Sequence, residues 1–247
     1  MLGIHKKSSL IVLCMLLISA ALYCVDYLLF GRLMDIGSGF LGNLAFLPIY
    51  VLFVTLMIER IMKEREKEAL RQKMNMVIGV FFCEVGTPLL KDGAQFLSDR
   101  TELLKHVRIT TQWSDSDFSD LASYLEHADL RMDSRSCSMG SLKEFLLSRR
   151  NFMLGLLENP NLLEHDDFTD LLWAVFHLLE ELQSRERLTG LPEIDLDHLS
   201  GDIRRAYVHL LKQWVTYLTH LRDDYPYLYS LAVRSNPLNP EASVEIR

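Results

Sequence analysis

The stretch "FLGNLAFLPIYVLFVTLMI", Phe40 to Ile58, runs directly into "ERIMKEREKEALRQKMNMVIGVFF", Glu59 to Phe82. The first part carries no charge, and a run of its length can cross the ~30 Å hydrocarbon core of a bilayer as a helix. The second part is built from Glu, Lys, Arg, Ala, Leu and Met, which are strong helix formers. No breaker stands at the junction. The reading that decides the fold is therefore a helix that leaves lipid and continues in water through Arg71 and beyond. It makes the chain an all-α protein with a membrane anchor.

Upstream, Ser8 to Phe30 reads "SSLIVLCMLLISAALYCVDYLLF", with Asp26 as its one charge. A transmembrane helical hairpin over residues 1–58 follows, with spans at about 8–30 and 40–58. The Gly-containing connection Gly31 to Gly39 is read as the turn between them. Ser19-Ala20-Ala21 imitates a signal-peptide cleavage site behind Lys6 and Lys7. The apolar run continues past Ala21 and a second run follows, so an uncleaved anchor is preferred. Leu13 before Cys14 and Tyr23 before Cys24 do not suit a lipoprotein site. Lys6 and Lys7 precede the first span, Arg60, Lys63, Arg65, Lys67, Arg71 and Lys73 follow the second, and the connection holds only Arg32. Basic residues stay on the cytoplasmic side. Both termini are thus expected in the cytoplasm of a bacterial or archaeal cell, in a multi-pass protein of the inner (plasma) membrane. Tyr23, Tyr27 and Phe30 would sit near the outer interface. Asp26 lies about a turn from that surface, where a carboxylate reaches water; an intramembrane proton or ion site is the rival reading. Pro48 should kink the second span, and Gly39 and Gly42 would let the helices approach.

Composition sharpens the division. The chain has 247 residues, 49% hydrophobic and 24% charged, with net charge −7. Residues 1–73 carry nine Lys/Arg and six Asp/Glu, leaving 17 and 27 for the rest. So acidic a C-terminal region argues against nucleic acid, since phosphate binding needs clustered Lys and Arg, and no nucleic-acid partner is expected. The four cysteines, Cys14, Cys24, Cys83 and Cys137, form no paired spacing, which fits reduced thiols rather than a disulfide framework or zinc knuckle.

Beyond the anchor, residues 59–76 read as a charged connecting helix. Its seam Met62, Arg65, Ala69, Gln72 and Met76 is short and polar for a coiled coil, although it leaves a homo-oligomer open. Residues 77–233 read as a helical cytoplasmic domain. Met74, Val77, Ile78, Phe81, Phe82, Val85 and Leu89 make an apolar stripe at helical spacing. Further helices are expected over Ala94–Val107, Asp115–Met132, Ser141–Leu157, Leu162–Arg187 and Leu196–Arg222. "SDSDFSD" supplies caps for the second of these, and "LTGLPEID" separates the last two. Helical spacing puts Phe168, Leu171, Leu172, Val175, Leu179 and Leu182 on one face of the fourth, and Ile203, Leu210, Trp214, Leu218 and Leu221 on one face of the fifth. No alternating strand pattern competes. Residues 234–247, with two prolines, read as an extended tail.

Cys83-Glu84-Val85-Gly86-Thr87-Pro88-Leu89 resembles the phosphoacceptor box of sensor histidine kinases, His-Glu-x-Arg-Thr-Pro-Leu. Cysteine stands where the imidazole should be, and Gly86 replaces the arginine. Residues 91–247 hold no glycine-rich ATP lid and no P-loop. The kinase reading fails.

Other constellations are weak. His165-Asp166 resembles the metal pair of the helical HD phosphohydrolases, with His127 and Asp202 as further candidate ligands on paper. An acidic helix start explains "EHDDFTD" equally well, and no metal or cofactor is assigned. His177-x-x-Glu180 and His220-x-x-Asp223 reverse the order of a diiron Glu-x-x-His motif and read as surface pairs. Tyr225, Tyr227 and Tyr229 around Pro226 form a candidate interaction surface, since Tyr is enriched in hot spots. The preferred reading is that Tyr225, Leu228 and Leu231 pack back on the bundle and Pro226 merely bends the chain.

"MNMVIGVFFCEVGTPLL" together with "HLRDDYPYLYSLAVRSNP" resembles an uncharacterised family of prokaryotic membrane proteins, with two N-terminal transmembrane helices and a helical cytoplasmic part. The likeness covers the chain from the second span onward and implies an architecture, with no activity or site residues. The favoured function is a membrane-anchored, non-enzymatic interaction or signalling module that binds the lipid bilayer and a protein partner. A metal-dependent phosphohydrolase of HD type and a subunit of an oligomeric channel or transporter are the alternatives.

Overall fold

The computed structural model describes residues 17–22, 24, 25, 27, 28, 33–159, 162 and 165–245. They fall into two compact units, residues 1–67 and 68–247. From Leu33 onward eight α-helices are present among them, and the described residues hold no strand beyond an isolated bridge. These are α1 (Leu33–Phe81), α2 (Thr87–Gly93), α3 (Thr101–His106), α4 (Asp115–His127), α5 (Met139–Leu157), α6 (Asp166–Ser184), α7 (Glu193–Asp224) and α8 (Pro226–Arg234).

In the first unit, residues 17–22, 24, 25, 27 and 28 are helical and exposed. Asp26, Tyr23 and Phe30 lie outside the described residues, so the expectations placed on them do too. Helix α1 begins at Leu33, and residues 33–39, expected as part of a turn, are helical. Gly37 and Gly39 do not break it, because Gly190 is the only described glycine at positive φ. A helix also satisfies the backbone groups that a loop would leave open in an apolar stretch. From Phe40 to Ile58 the large apolar side chains are exposed on every side. A helix apolar all round needs an apolar surrounding. Among the described residues this is the one helix long and apolar enough to cross a membrane.

The second unit is a helical domain built on α6 and α7. On α6, Phe168, Leu171, Leu172, Val175, Leu179 and Leu182 are all buried, the face expected from helical spacing. They meet Leu199, Ile203, Leu210, Trp214 and Leu218 of α7 within one core. Full burial of such a side chain stabilises by about 1.5–3 kcal/mol, so this interface dominates the domain. Contacts pair residue 177 with 202 and residue 181 with 198, so the two helices run antiparallel.

The chain enters this core through an unusual turn. After Phe81 the helix widens to a π-turn, Phe82–Gly86, and the Thr87 N–H donates to the Phe82 carbonyl. Pro88 has no N–H to return to residue 84, so the wider turn absorbs the missing bond. A Cβ at residue 86 would lie 2.4 Å from Phe82 Cδ1, which requires glycine. The Phe82 ring is thereby free to stack on Tyr217, at 4.8 Å between centroids and 8° between planes. Phe81 meets Phe168 edge-on at 5.2 Å. The kinase-like box is a packing device.

Two expected helices are shorter than read. Ala94–Val107 is broken: a 3-10 turn ends at Phe96 and Leu97 is extended. Asp115–Met132 stops at His127. The cause is tertiary, because Leu97 and Met132 form an antiparallel bridge. Ser98 N–H donates to Arg131 O at 3.0 Å and Asp133 N–H to Phe96 O at 2.7 Å. The expected capping of α4 is present, with Ser114 N–H donating to the Asp117 carboxylate at 2.7 Å. Ser138 caps α5, and His165 Nδ1 caps α6 by accepting from Phe168 N–H at 3.3 Å. Helix α7 starts at Glu193 behind Pro192, earlier than expected, since a proline is tolerated ahead of a helix. The tail read as extended from residue 234 is fastened near its start. Asn236 and Leu238 are buried, and Asn236 Nδ2 donates to Val107 O at 2.9 Å.

Candidate functional site

The tyrosine cluster divides when folded. Tyr229 is buried and its hydroxyl donates to Thr110 O at 2.8 Å. Tyr225 is half-buried and edge-on to His220. Tyr227 alone is open, 70% exposed. Pro226 sits in the first turn of α8, where it needs no donor partner. Leu228 and Leu231, expected in the core, are each more than a third exposed. The inward position on this helix is Tyr229, because its hydroxyl finds a carbonyl there.

The four HD-type candidates do not assemble as a set. His127 is exposed and its Nδ1 lies 2.9 Å from Ser123 O, one turn back on its own helix. His165 caps α6, and Asp166 is the first residue of that helix. Asp202 lies elsewhere, buried to 2% exposure on α7.

Around Asp202 the structure builds a different cluster. His177 and Glu181 are one turn apart on α6; His198 and Asp202 are one turn apart on α7. In an antiparallel hairpin this places all four at one level. His177 Nε2 is 3.4 Å from Asp202 Oδ1 and 4.0 Å from Glu181 Oε1. His198 Nε2 is 3.3 Å from Asp202 Oδ2 and 3.6 Å from Glu181 Oε2. Each carboxylate thus offers one oxygen to each imidazole. Both histidines are about half exposed, so the cluster opens to solvent on that side.

Two arginines complete the charge pattern. Arg205 Nη1 donates to Asp202 Oδ1 at 3.1 Å. Arg185 Nη1 donates to Glu181 Oε2 at 2.8 Å, and its other nitrogens grip Asp195 at 2.6 and 3.0 Å. The Arg185 hydrogen bond holds the Glu181 carboxyl below the usual carboxylate range, with the two histidines adding to the effect. The same guanidinium lowers Asp195, and its own pKa is driven further up. Asp202 Oδ2, although buried, receives no hydrogen bond. Among the described residues, His177, Glu181 and Asp202 form the one group of such donors close enough to share an ion, with ligand atoms within 4.8 Å of one another.

Glu181 and His198 were not singled out from the sequence, and His177 was paired there with Glu180. The usable signal was a His-x-x-x-acid pair on each of two successive helices. Helical spacing puts residues four apart on one face, and the short connection brings the faces together.

Two family models match this chain. One, described as "Uncharacterized protein MJ1433, C-terminal helical domain", covers residues 70–234. The other, "MJ1433, N-terminal helical domain", covers residues 4–62. The chain belongs to this family. It is similar to the Methanocaldococcus jannaschii protein named "Uncharacterized protein MJ1433", 43% identical over 235 residues, which is 95% of this chain and 94% of the relative. No solved structure matches the chain.

Proposed function

We propose that this member of the MJ1433 family is a membrane-anchored protein whose C-terminal helical domain serves in the cytoplasm as an interaction or signalling module. One observation carries the anchor: the apolar side chains of residues 40–58 are exposed all round a continuous helix. In water that surface would aggregate; in a bilayer it is matched. The apolar run at residues 8–30 supplies a second span. The basic residues before it and after residue 58 put both ends inside.

A fractionation experiment tests the anchor. The full chain should remain with membranes through alkaline carbonate extraction and be released by detergent. Recovery in the carbonate supernatant would overturn the proposal. Orientation is read from Cys83, which is exposed on the helical domain. In a variant with Cys14 and Cys24 changed to serine, an impermeant maleimide should label inside-out vesicles and spare right-side-out ones. Labelling of the latter would reverse the topology.

A further inference from the structure

We infer that His177, Glu181 and Asp202 form a binding site for a single first-row transition-metal dication, Zn2+ being the probe, with His198 as a supporting contact to both carboxylates. The inference is independent of the membrane proposal. It rests on three observations.

The first is the buried carboxylate. Asp202 is 2% exposed, yet its Oδ2 receives no hydrogen bond and is faced by the His198 imidazole, 3.3 Å away, which is charged only when protonated. A buried carboxylate oxygen matched by a neutral imidazole alone is costly. The Arg205 guanidinium satisfies Oδ1 and leaves Oδ2 facing His198. A cation supplies what the protein does not.

The second is spacing. Donors held 2.0–2.1 Å from one ion at tetrahedral angles lie about 3.3–3.4 Å from each other. His177 Nε2 lies 3.4 Å from Asp202 Oδ1 and 4.0 Å from Glu181 Oε1, and the ligand atoms of His177, Glu181 and Asp202 fall within 4.8 Å of one another. Side-chain rotations that draw them together by up to about 1.5 Å bring the three onto one ion. Imidazole with carboxylate is a donor set for zinc and its neighbours in the transition series rather than for calcium or magnesium.

The third is charge. Glu181, Asp195 and Asp202 face Arg185 and Arg205, so with neutral imidazoles the ring is one negative charge in excess. That excess favours one dication over two. Since α6 supplies His177 and Glu181 and α7 supplies Asp202, the ion would clamp the central hairpin.

The test is zinc titration of the full chain in detergent after chelator treatment. The expected result is one Zn2+ per chain, with a thermal midpoint raised by about 5–10 °C at a hundredfold excess over Kd. His177→Gln, at a half-exposed position, should keep the fold and lose the shift; Asp202→Asn should lose it as well. His198→Gln should weaken binding about tenfold, in line with removal of a supporting contact. His127→Gln, outside the cluster, should bind as the parent does. Failure of the parent to retain zinc would overturn the inference. So would undiminished binding in both His177→Gln and Asp202→Asn.

Discussion

The ring of Phe82 occupies the space that a side chain on Gly86 would need: a Cβ there would lie 2.4 Å from Cδ1 and 2.9 Å from Cε1 of that ring. Phe82 cannot yield easily, because its other face is stacked on Tyr217. The π-turn, the glycine and the aromatic stack are one arrangement. Gly86→Ala should therefore destabilise the helical domain by about 1–3 kcal/mol through overpacking. Gly155 gives the contrast, since nothing lies within 4 Å of its added Cβ inside α5. Gly155→Ala should stabilise by about 0.5–1 kcal/mol. Thermal unfolding of both variants in detergent checks the pair. Equal and small effects would remove the packing role assigned to Gly86.

The Phe81–Phe168 contact joins the end of α1 to α6 with both rings fully buried. Phe168→Ala should cost about 3–5 kcal/mol, enough to unfold a marginal domain. Phe168→Leu, which keeps much of the volume, should cost under half of that. Denaturant midpoints for the two variants give the ranking, and its reversal would place the core elsewhere.

Tyr229 and Tyr227 are neighbours in sequence with opposite environments. Tyr229→Phe removes the hydroxyl that donates to Thr110 O and should cost about 1 kcal/mol. Tyr227→Ala, at an exposed position, should stay within about 0.5 kcal/mol of the parent. A loss at Tyr227 comparable to that at Tyr229 would contradict the orientation of α8.

Arg185 predicts a pH dependence. It lowers the pKa of Glu181 and of Asp195 in the folded state. A depressed carboxylate contributes stability that is present above its unfolded pKa and lost as pH falls through the folded value. The parent should thus lose thermal stability as pH falls from about 4.5 towards 3 and below, from ordinary carboxylate pKa values downward. In Arg185→Gln that slope should flatten, because the folded and unfolded pKa values converge. Parallel curves for parent and variant would show that the guanidinium does not set these pKa values.

Local chemistry was legible from the residues alone. The buried faces of α6 and α7 followed from helical spacing, and the cap of α4 from its Ser/Asp cluster, because such signals lie within a few turns of chain. The break after Phe96 was not legible. Residues 94–107 read as helix, yet Ser98 N–H bonds to Arg131 O, a partner that only the folded chain presents. The cluster is hidden for a related reason. Adjacency in sequence singles out His165-Asp166, whereas the converging groups are His177, Glu181, His198 and Asp202.

By itself the sequence determined an all-helical chain, an uncharged apolar segment over residues 40–58, and which face of α6 and of α7 turns inward. Those properties depend on side-chain polarity and on periodicity along one element. The tertiary structure decided which carboxylate is buried, which tyrosine is inside, and which histidines meet it. These depend on the register between α6 and α7 and on the seating of α8, where residues far apart in sequence compete for the same space and the same hydrogen bonds.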